Sequence, residues 1–208
     1  MTWIKVCGIT NLEDGLYAAS LRIDALGFVF APSARRIEVG TAREIIKALP
    51  KTVLKVGVFV DEKEAEVQRV VEYCGLNGLQ FHGGESPEYC LKFSCPVFKA
   101  VHIKDFGSLM EMEKYPEDVS ILLDTYSPVQ RGGTGSPFSW EIALKAKEKR
   151  DFILSGGLNS VNVGEVVRKV RPRGVDVSSG VEVTPGKKDF LKMSEFVKEV
   201  RKADAATR

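Results

Sequence analysis

The sequence lacks any run of the ~18 apolar residues that a membrane-spanning helix needs. Its first residues, Met1-Thr2-Trp3-Ile4-Lys5, also lack an apolar stretch leading to a small-residue cleavage site. A folded cytoplasmic chain without a membrane partner is expected. No block of like charge dominates: 30 basic residues stand against 28 acidic ones, for a formal net charge of +2. Nucleic acid is therefore not expected as a partner. Lysines gather at Lys187-Lys188 and along the last helical run, which reads as a solvated face. Cysteine and histidine are scarce. Cys7, Cys74, Cys90 and Cys95 fall at irregular spacings, and Cys90 and Cys95 form no CxxC pair. His82 and His102, the only two histidines, lie too far off in sequence to complete a familiar zinc pattern. No metal is expected, and Cys74, Cys90 and Cys95 read as small buried residues in a reducing compartment. No Pro-, Gly- or Ser-rich linker and no low-complexity segment divides the 208 residues. The expectation is one domain over 1–208, with the last few residues a disordered tail.

What is present alternates from end to end. Short β-rich runs occur at Trp3–Cys7, Ala25–Phe30, Val53–Val60, Gly78–Phe81, Val97–Val101, Ile121–Leu123, Phe152–Leu154 and Val175–Val177. Most are nearly continuous in Val, Ile, Leu and Phe, as parallel strands buried on both faces are. Between them lie amphipathic runs whose starts carry capping residues: Asn11, Thr41, Asp61, Ser86-Pro87, Asp105, Ser139, Ser160 and Asp189. Gly75 suits the residue just past the third helix. Repeated strand–helix order implies a parallel sheet with right-handed crossovers, and eight such units favour a closed (β/α)₈ TIM barrel over an open doubly wound sheet. The loops are short, so the barrel is a minimal one.

In such a barrel the chemistry sits at the C-terminal ends of the strands. Strand 1 ends in Cys7-Gly8-Ile9-Thr10, where a thiol is either a base or nucleophile, or a packed small hydrophobe. Arg35 and Arg36 follow strand 2, either gripping a carboxylate through two hydrogen bonds or lying on the surface. His82 follows strand 4 as a ligand, a base or a hydrogen-bonded structural residue. Asp124 follows the apolar end of strand 6, where a carboxyl is expensive to bury unless it is paired or used. Three glycine clusters come late: Gly132-Gly133-Thr134-Gly135, Ser155-Gly156-Gly157-Leu158 and Ser178-Ser179-Gly180-Val181-Glu182. The last two follow strands 7 and 8, where barrels place a phosphate on backbone N–H groups, and Val181–Val183 reads as a short extra helical turn. A phosphorylated small-molecule substrate is expected.

Taken in order, CGIT at Cys7–Thr10, LLDT at Leu122–Thr125, the loops above and DVSSGVE at Asp176–Glu182 carry a resemblance. Over nearly its whole length the chain resembles the phosphoribosylanthranilate isomerase family of tryptophan biosynthesis. The resemblance implies an Amadori rearrangement without metal or organic cofactor. Asp124 would be the general acid that opens the furanose, with its pKa raised, and Cys7 the general base that removes the C2 proton, with some thiolate character. Arg35, from Ser33-Ala34-Arg35, would take the anthranilate carboxylate, with Arg36 as the alternative. Gly156, Gly157, Ser179 and Gly180 would hold the phosphate, and His82 and Asp176 would touch substrate. Arg22-Ile23 departs from the small Gly-Ala pair usual before strand 2. The rivals are the histidine-pathway isomerase, which uses a carboxylate where this chain has Cys7, and a non-catalytic phosphosugar-binding barrel. A Schiff-base lyase ranks below both, since Lys99 lies inside strand 5. Monomer and homodimer both stay open.

Overall fold

The apolar runs form the eight parallel strands of a closed barrel. The structure, a computed structural model, describes residues 1–125 and 140–206. The strands are β1 (Trp3–Cys7), β2 (Ala25–Val29), β3 (Leu54–Phe59), β4 (Gly78–Phe81), β5 (Val97–Ile103), β6 (Val119–Thr125), β7 (Phe152–Ser155) and β8 (Gly174–Val177). Each pairs with the next in sequence, and β8 closes on β1 with Lys5 beside Asp176. The apolar run alone ends β5 at Val101, two residues early.

The helices are α1 (Leu12–Ser20), α2 (Val39–Ala48), α3 (Glu64–Cys74), α4 (Pro87–Cys90), α5 (Met110–Glu113), α6 (Trp140–Lys149), α7 (Val163–Val170) and α8 (Phe190–Ala206). Asn11 caps α1 by accepting from the Asp14 N–H at 2.9 Å, and Ser86 caps α4 by accepting from the Tyr89 N–H at 3.3 Å. Gly75 ends α3 at φ 74°. Thr41 and Asp61 do not cap. Helix α2 starts earlier, after Glu38, and Asp61 instead accepts from the Gly84 N–H at 2.6 Å, tying two loops at the mouth together. The helical turn expected at Val181–Val183 lies at Ser179–Val181. It is followed by a small antiparallel hairpin, β9 (Glu182–Thr184) and β10 (Lys187–Lys188). Helix α8 continues to Ala206, so the tail expected there is helical up to that residue. Ser139 and the Gly132–Gly135 cluster lie outside the described residues.

Two apolar clusters result from the alternation of side chains along each strand. Outward-facing residues such as Ile4, Leu26, Phe81, Ile121 and Leu154 pack under the helices. The inward set, Ala25, Val56, Phe98, Ala100, Leu122 and Ile153 with Trp3 and Leu54 against it, plugs the barrel interior. Trp3 stacks on Phe98 at 5.4 Å between ring centroids. The side chains two residues further along those strands face the mouth, because the period along a strand is two.

Candidate active site

That parity selects the site. Cys7 follows Trp3 and Lys5 on one face of β1, Asp124 follows Leu122, Ser155 follows Ile153, and Gln80 leads to His82 just past β4. All of these except Trp3, Lys5 and the two plug residues line a cavity of about 430 Å³ at the C-terminal end of the barrel, together with Arg35, Gly156, Gly157, Asp176, Ser178 and Ser179. The volume suits a small organic ligand. The structure therefore brings together every residue expected at the site except Gly180, which lies behind the lining. Arg36 is exposed and does not line the cavity, which separates it from Arg35. Lys99 does not line it either; its Nζ is 3.1 Å from Glu85 Oε2 beneath the β4–α4 loop.

On one side of the cavity Cys7 sits among charges. Lys5, 1% exposed, places Nζ 2.9 Å from Asp176 Oδ1 and donates to Gln80 Oε1 at 2.7 Å. Gly27 faces Cys7 across β1 and β2, and a Cβ there would meet the sulfur at 2.6 Å. Burial pushes the Cys7 thiol up from its ordinary value, against the pull of Lys5 and Lys188. The expected thiolate character is thus not built into this arrangement. Asp176 is a buried ion-pair partner as well as a lining residue.

On the other side Asp124 is flanked by both histidines. His82 Nε2 lies 3.1 Å and His102 Nδ1 3.5 Å from the same oxygen, Asp124 Oδ2. Burial pushes the Asp124 carboxyl up, but hydrogen bonds from His102 and His82 outweigh it and hold the pKa well below the usual carboxylate range. This corrects the expectation of a raised pKa: the acid does not hold its proton unaided. His102 does not stand out in the sequence pattern, which ends β5 one residue short of it. The signal that marks it is its parity with Phe98 and Ala100, and its register position beside Asp124.

Arg35 is held by Glu182. Its Nε donates to Oε1 at 2.8 Å and its Nη2 to Oε2 at 2.6 Å, a two-point grip. Glu182 Oε1 also accepts from Lys188 Nζ at 2.8 Å. Lys188, expected on a solvated face, is 2% exposed, and its Nζ also donates to the Cys7 carbonyl at 2.5 Å. The β9–β10 hairpin folds it back under the mouth.

The loops after β7 and β8 touch. A Cβ on Gly180 would meet the Leu158 carbonyl oxygen at 1.8 Å, so only glycine allows this approach. Gly156 and Gly157 take positive φ of 88° and 68° at the rim. Beside them the Ser178 hydroxyl is buried with no hydrogen-bond partner among the described residues. An orphaned hydroxyl lining a cavity is suited to a polar ligand.

One group among the described residues offers converging metal-ligand atoms: His82, His102 and Asp124, all within 4.8 Å of one another. The neighbouring hydrogen bonds disfavour a metal there. Gln80 Oε1 accepts from Lys5, so its amide nitrogen faces His82 Nδ1 at 2.9 Å and donates to it. His82 therefore carries its proton on Nε2 and turns an N–H, not a lone pair, toward Asp124.

Comparison with known proteins gives the family. Residues 4–199 match the family described as N-(5'phosphoribosyl)anthranilate (PRA) isomerase. The N-(5'-phosphoribosyl)anthranilate isomerase of Desulforudis audaxviator is 50% identical over 205 residues, spanning 98% of this chain and 100% of that one. The crystal structure of the phosphoribosyl anthranilate isomerase from Thermotoga maritima superposes with a TM-score of 0.90 at 43% identity, covering 97% of this chain and 100% of that chain. A phosphoribosyl anthranilate isomerase in complex with reduced 1-(O-carboxyphenylamino)-1-deoxyribulose 5-phosphate is similar too, with a TM-score of 0.88 at 41% identity over 97% of this chain and all of that one.

Proposed function

Since this chain belongs to the N-(5'-phosphoribosyl)anthranilate isomerase family and is an isomerase of tryptophan biosynthesis, we propose that Cys7 and Asp124 divide its acid–base work. The observation that carries the reading is their placement across one cavity, with Arg35 and the glycine loops at its rim. Asp124 gives a proton to the furanose ring oxygen, the C1–O bond breaks, and an iminium forms. That cation places positive charge beside Cys7 and, with Lys5 and Lys188, draws the thiol toward thiolate. Cys7 loses its thiol proton to solvent and, as thiolate, removes the C2 proton; the enolamine tautomerises to the ketone as C1 gains a proton and the enol hydroxyl loses one.

Arg35 takes the anthranilate carboxylate on the guanidinium edge that Glu182 leaves open. The backbone of Gly156, Gly157, Ser179 and Gly180 takes the phosphate, as in the loops after strands 7 and 8 of other barrels. The ligand in the related complex is itself a phosphorylated carboxyphenylamino sugar, which supports both assignments. His82 acts on Asp124, and Asp176 acts on Lys5. Among the described residues no helix is long and apolar enough to cross a membrane, and all four cysteines are free, which supports a cytoplasmic setting. The relative from Thermotoga maritima is described as dimeric with generated monomers, so either state is compatible with one barrel carrying a whole site.

The test is direct. Purified protein mixed with phosphoribosylanthranilate should quench the anthranilate fluorescence rapidly, equally with and without a chelator. Folded protein that leaves the fluorescence unchanged would overturn the reading.

A further inference from the structure

We propose that His102 is the proton supply of Asp124: a relay that takes a proton from solvent and passes it to the acid each turnover. The proposal rests on Asp124 being the acid, and it adds a residue that the reaction as described above does not use.

Lys5 and Gln80 leave His82 no choice of tautomer. Lys5 Nζ donates to Gln80 Oε1 at 2.7 Å, which fixes the amide, and the amide nitrogen 2.9 Å from His82 Nδ1 can only donate. A proton on Nδ1 would face that N–H, so Nδ1 accepts for as long as the Lys5 contact holds the amide in place. His82 Nε2–H donates to Asp124 at 3.1 Å, and giving that proton away would leave an imidazolate. His82 orients the carboxylate; it does not feed it.

His102 has neither restriction. It follows Phe98 and Ala100 on the inward face of β5, beside Asp124 in register, with Nδ1 3.5 Å from Oδ2. Its side chain is 46% exposed, so the ring is open to solvent while Nδ1 faces the acid. Among the described residues, the charged and titratable groups that bear on it are Asp124 on β6, His82 past the end of β4 and Lys99 on its own strand. The hydrogen bond to Asp124 raises its pKa, and so does one to the His82 backbone; burial and Lys99 oppose them and lose. Asp124 is held ionised, and the neighbouring ring of His102 is the group whose hold on a proton is strengthened.

The transfer balances. The His102 imidazolium yields its Nδ1 proton to Asp124 Oδ2, and Asp124 yields one to the ring oxygen, which leaves the carboxylate ionised again and His102 neutral. Neutral His102 then regains one from water. Because the proton resides on His102 below its pKa and is lost as pH rises through it, the alkaline limb of kcat belongs to His102.

Two measurements test this. With only two histidines in the chain, ring-nitrogen NMR of the whole protein reads each one separately. His102 should titrate above the ordinary value of about 6.5. His102→Asn should lower kcat about tenfold or more with little change in KM, move the alkaline limb out of the histidine range, and recover part of kcat with added imidazole. Titration of His102 at or below the ordinary value would overturn the proposal, as would an Asn variant with the parent's kcat and alkaline limb. If the parent itself fails to turn over phosphoribosylanthranilate, the isomerase reading falls, while the NMR titration still decides which ring carries the proton.

Discussion

Glu182 occupies two adjacent N–H groups of Arg35, Nε and Nη2, at 2.8 and 2.6 Å. The pair spans 147 positions in sequence and fixes the guanidinium plane at the rim of the cavity. An arginine so held presents its remaining edge without having to be ordered when substrate arrives.

Arg35→Ala should therefore act mainly on binding. A charge-assisted hydrogen bond to a remote carboxylate is worth about 1.5–3 kcal/mol, or roughly 10- to 150-fold in KM. Steady-state kinetics with phosphoribosylanthranilate checks this. A fall in kcat with KM unchanged would remove the binding role.

Glu182→Gln should unfold more easily in urea, and by a pH-dependent amount. It leaves the Lys188 ammonium, with a side chain 0% exposed, without its anionic partner. Breaking a buried pair typically costs about 3–5 kcal/mol. Burial pushes the Glu182 carboxyl up, but the hydrogen bonds from Arg35 and Lys188 overcome it and hold the pKa down. A depressed carboxyl pKa stabilises the fold above the ordinary value of about 4.3 and loses that contribution as pH falls below it. The difference between parent and variant should hence be full near neutrality and shrink on acidification.

Cys7→Ala and Asp124→Asn should each lower kcat by about 10²- to 10⁴-fold with KM nearly unchanged, since acid–base groups act in the transition state. Their effects should not multiply in the double variant if one proton circuit joins them. A Cys7→Ala enzyme with parental turnover would remove the proposed base.

Arg22 adopts φ 56°, the left-handed conformation that favours glycine. This is the position where the family resemblance would put glycine before β2. Arg22→Gly should raise stability by about 0.5–1 kcal/mol, because relief of the strained φ outweighs the added freedom of the unfolded chain. Thermal unfolding reads the sign, and activity should not change.

Much of this fold and site is legible in the sequence, for one reason. A parallel strand buried on both faces is written as an apolar run, and a polar residue at its end then stands out, as Cys7 and Asp124 do. The glycine loops after β7 and β8 are legible from composition alone. Three things are not. His102 depends on where β5 stops, and strand ends are set by pairing with β6 that no local pattern records. Lys188 reads as surface because its partner Glu182 comes into reach only when the β9–β10 hairpin folds back. The pKa of Asp124 is misjudged because burial alone raises it, while the two histidines that lower it come from different strands.

The residues around Cys7 lie on the seam where β8 meets β1, the pairing that closes the barrel. Asp176 reaches Lys5 only once β8 has been made. Beyond them Asp204 on α8 accepts from the Thr2 backbone N–H at 3.0 Å, and Arg201 donates to the Thr2 carbonyl at 2.6 Å. A growing chain emerging from the ribosome thus has its acid strands early and its base side unfinished until the far end arrives. Turnover in this enzyme is a report that β8 and α8 have found β1.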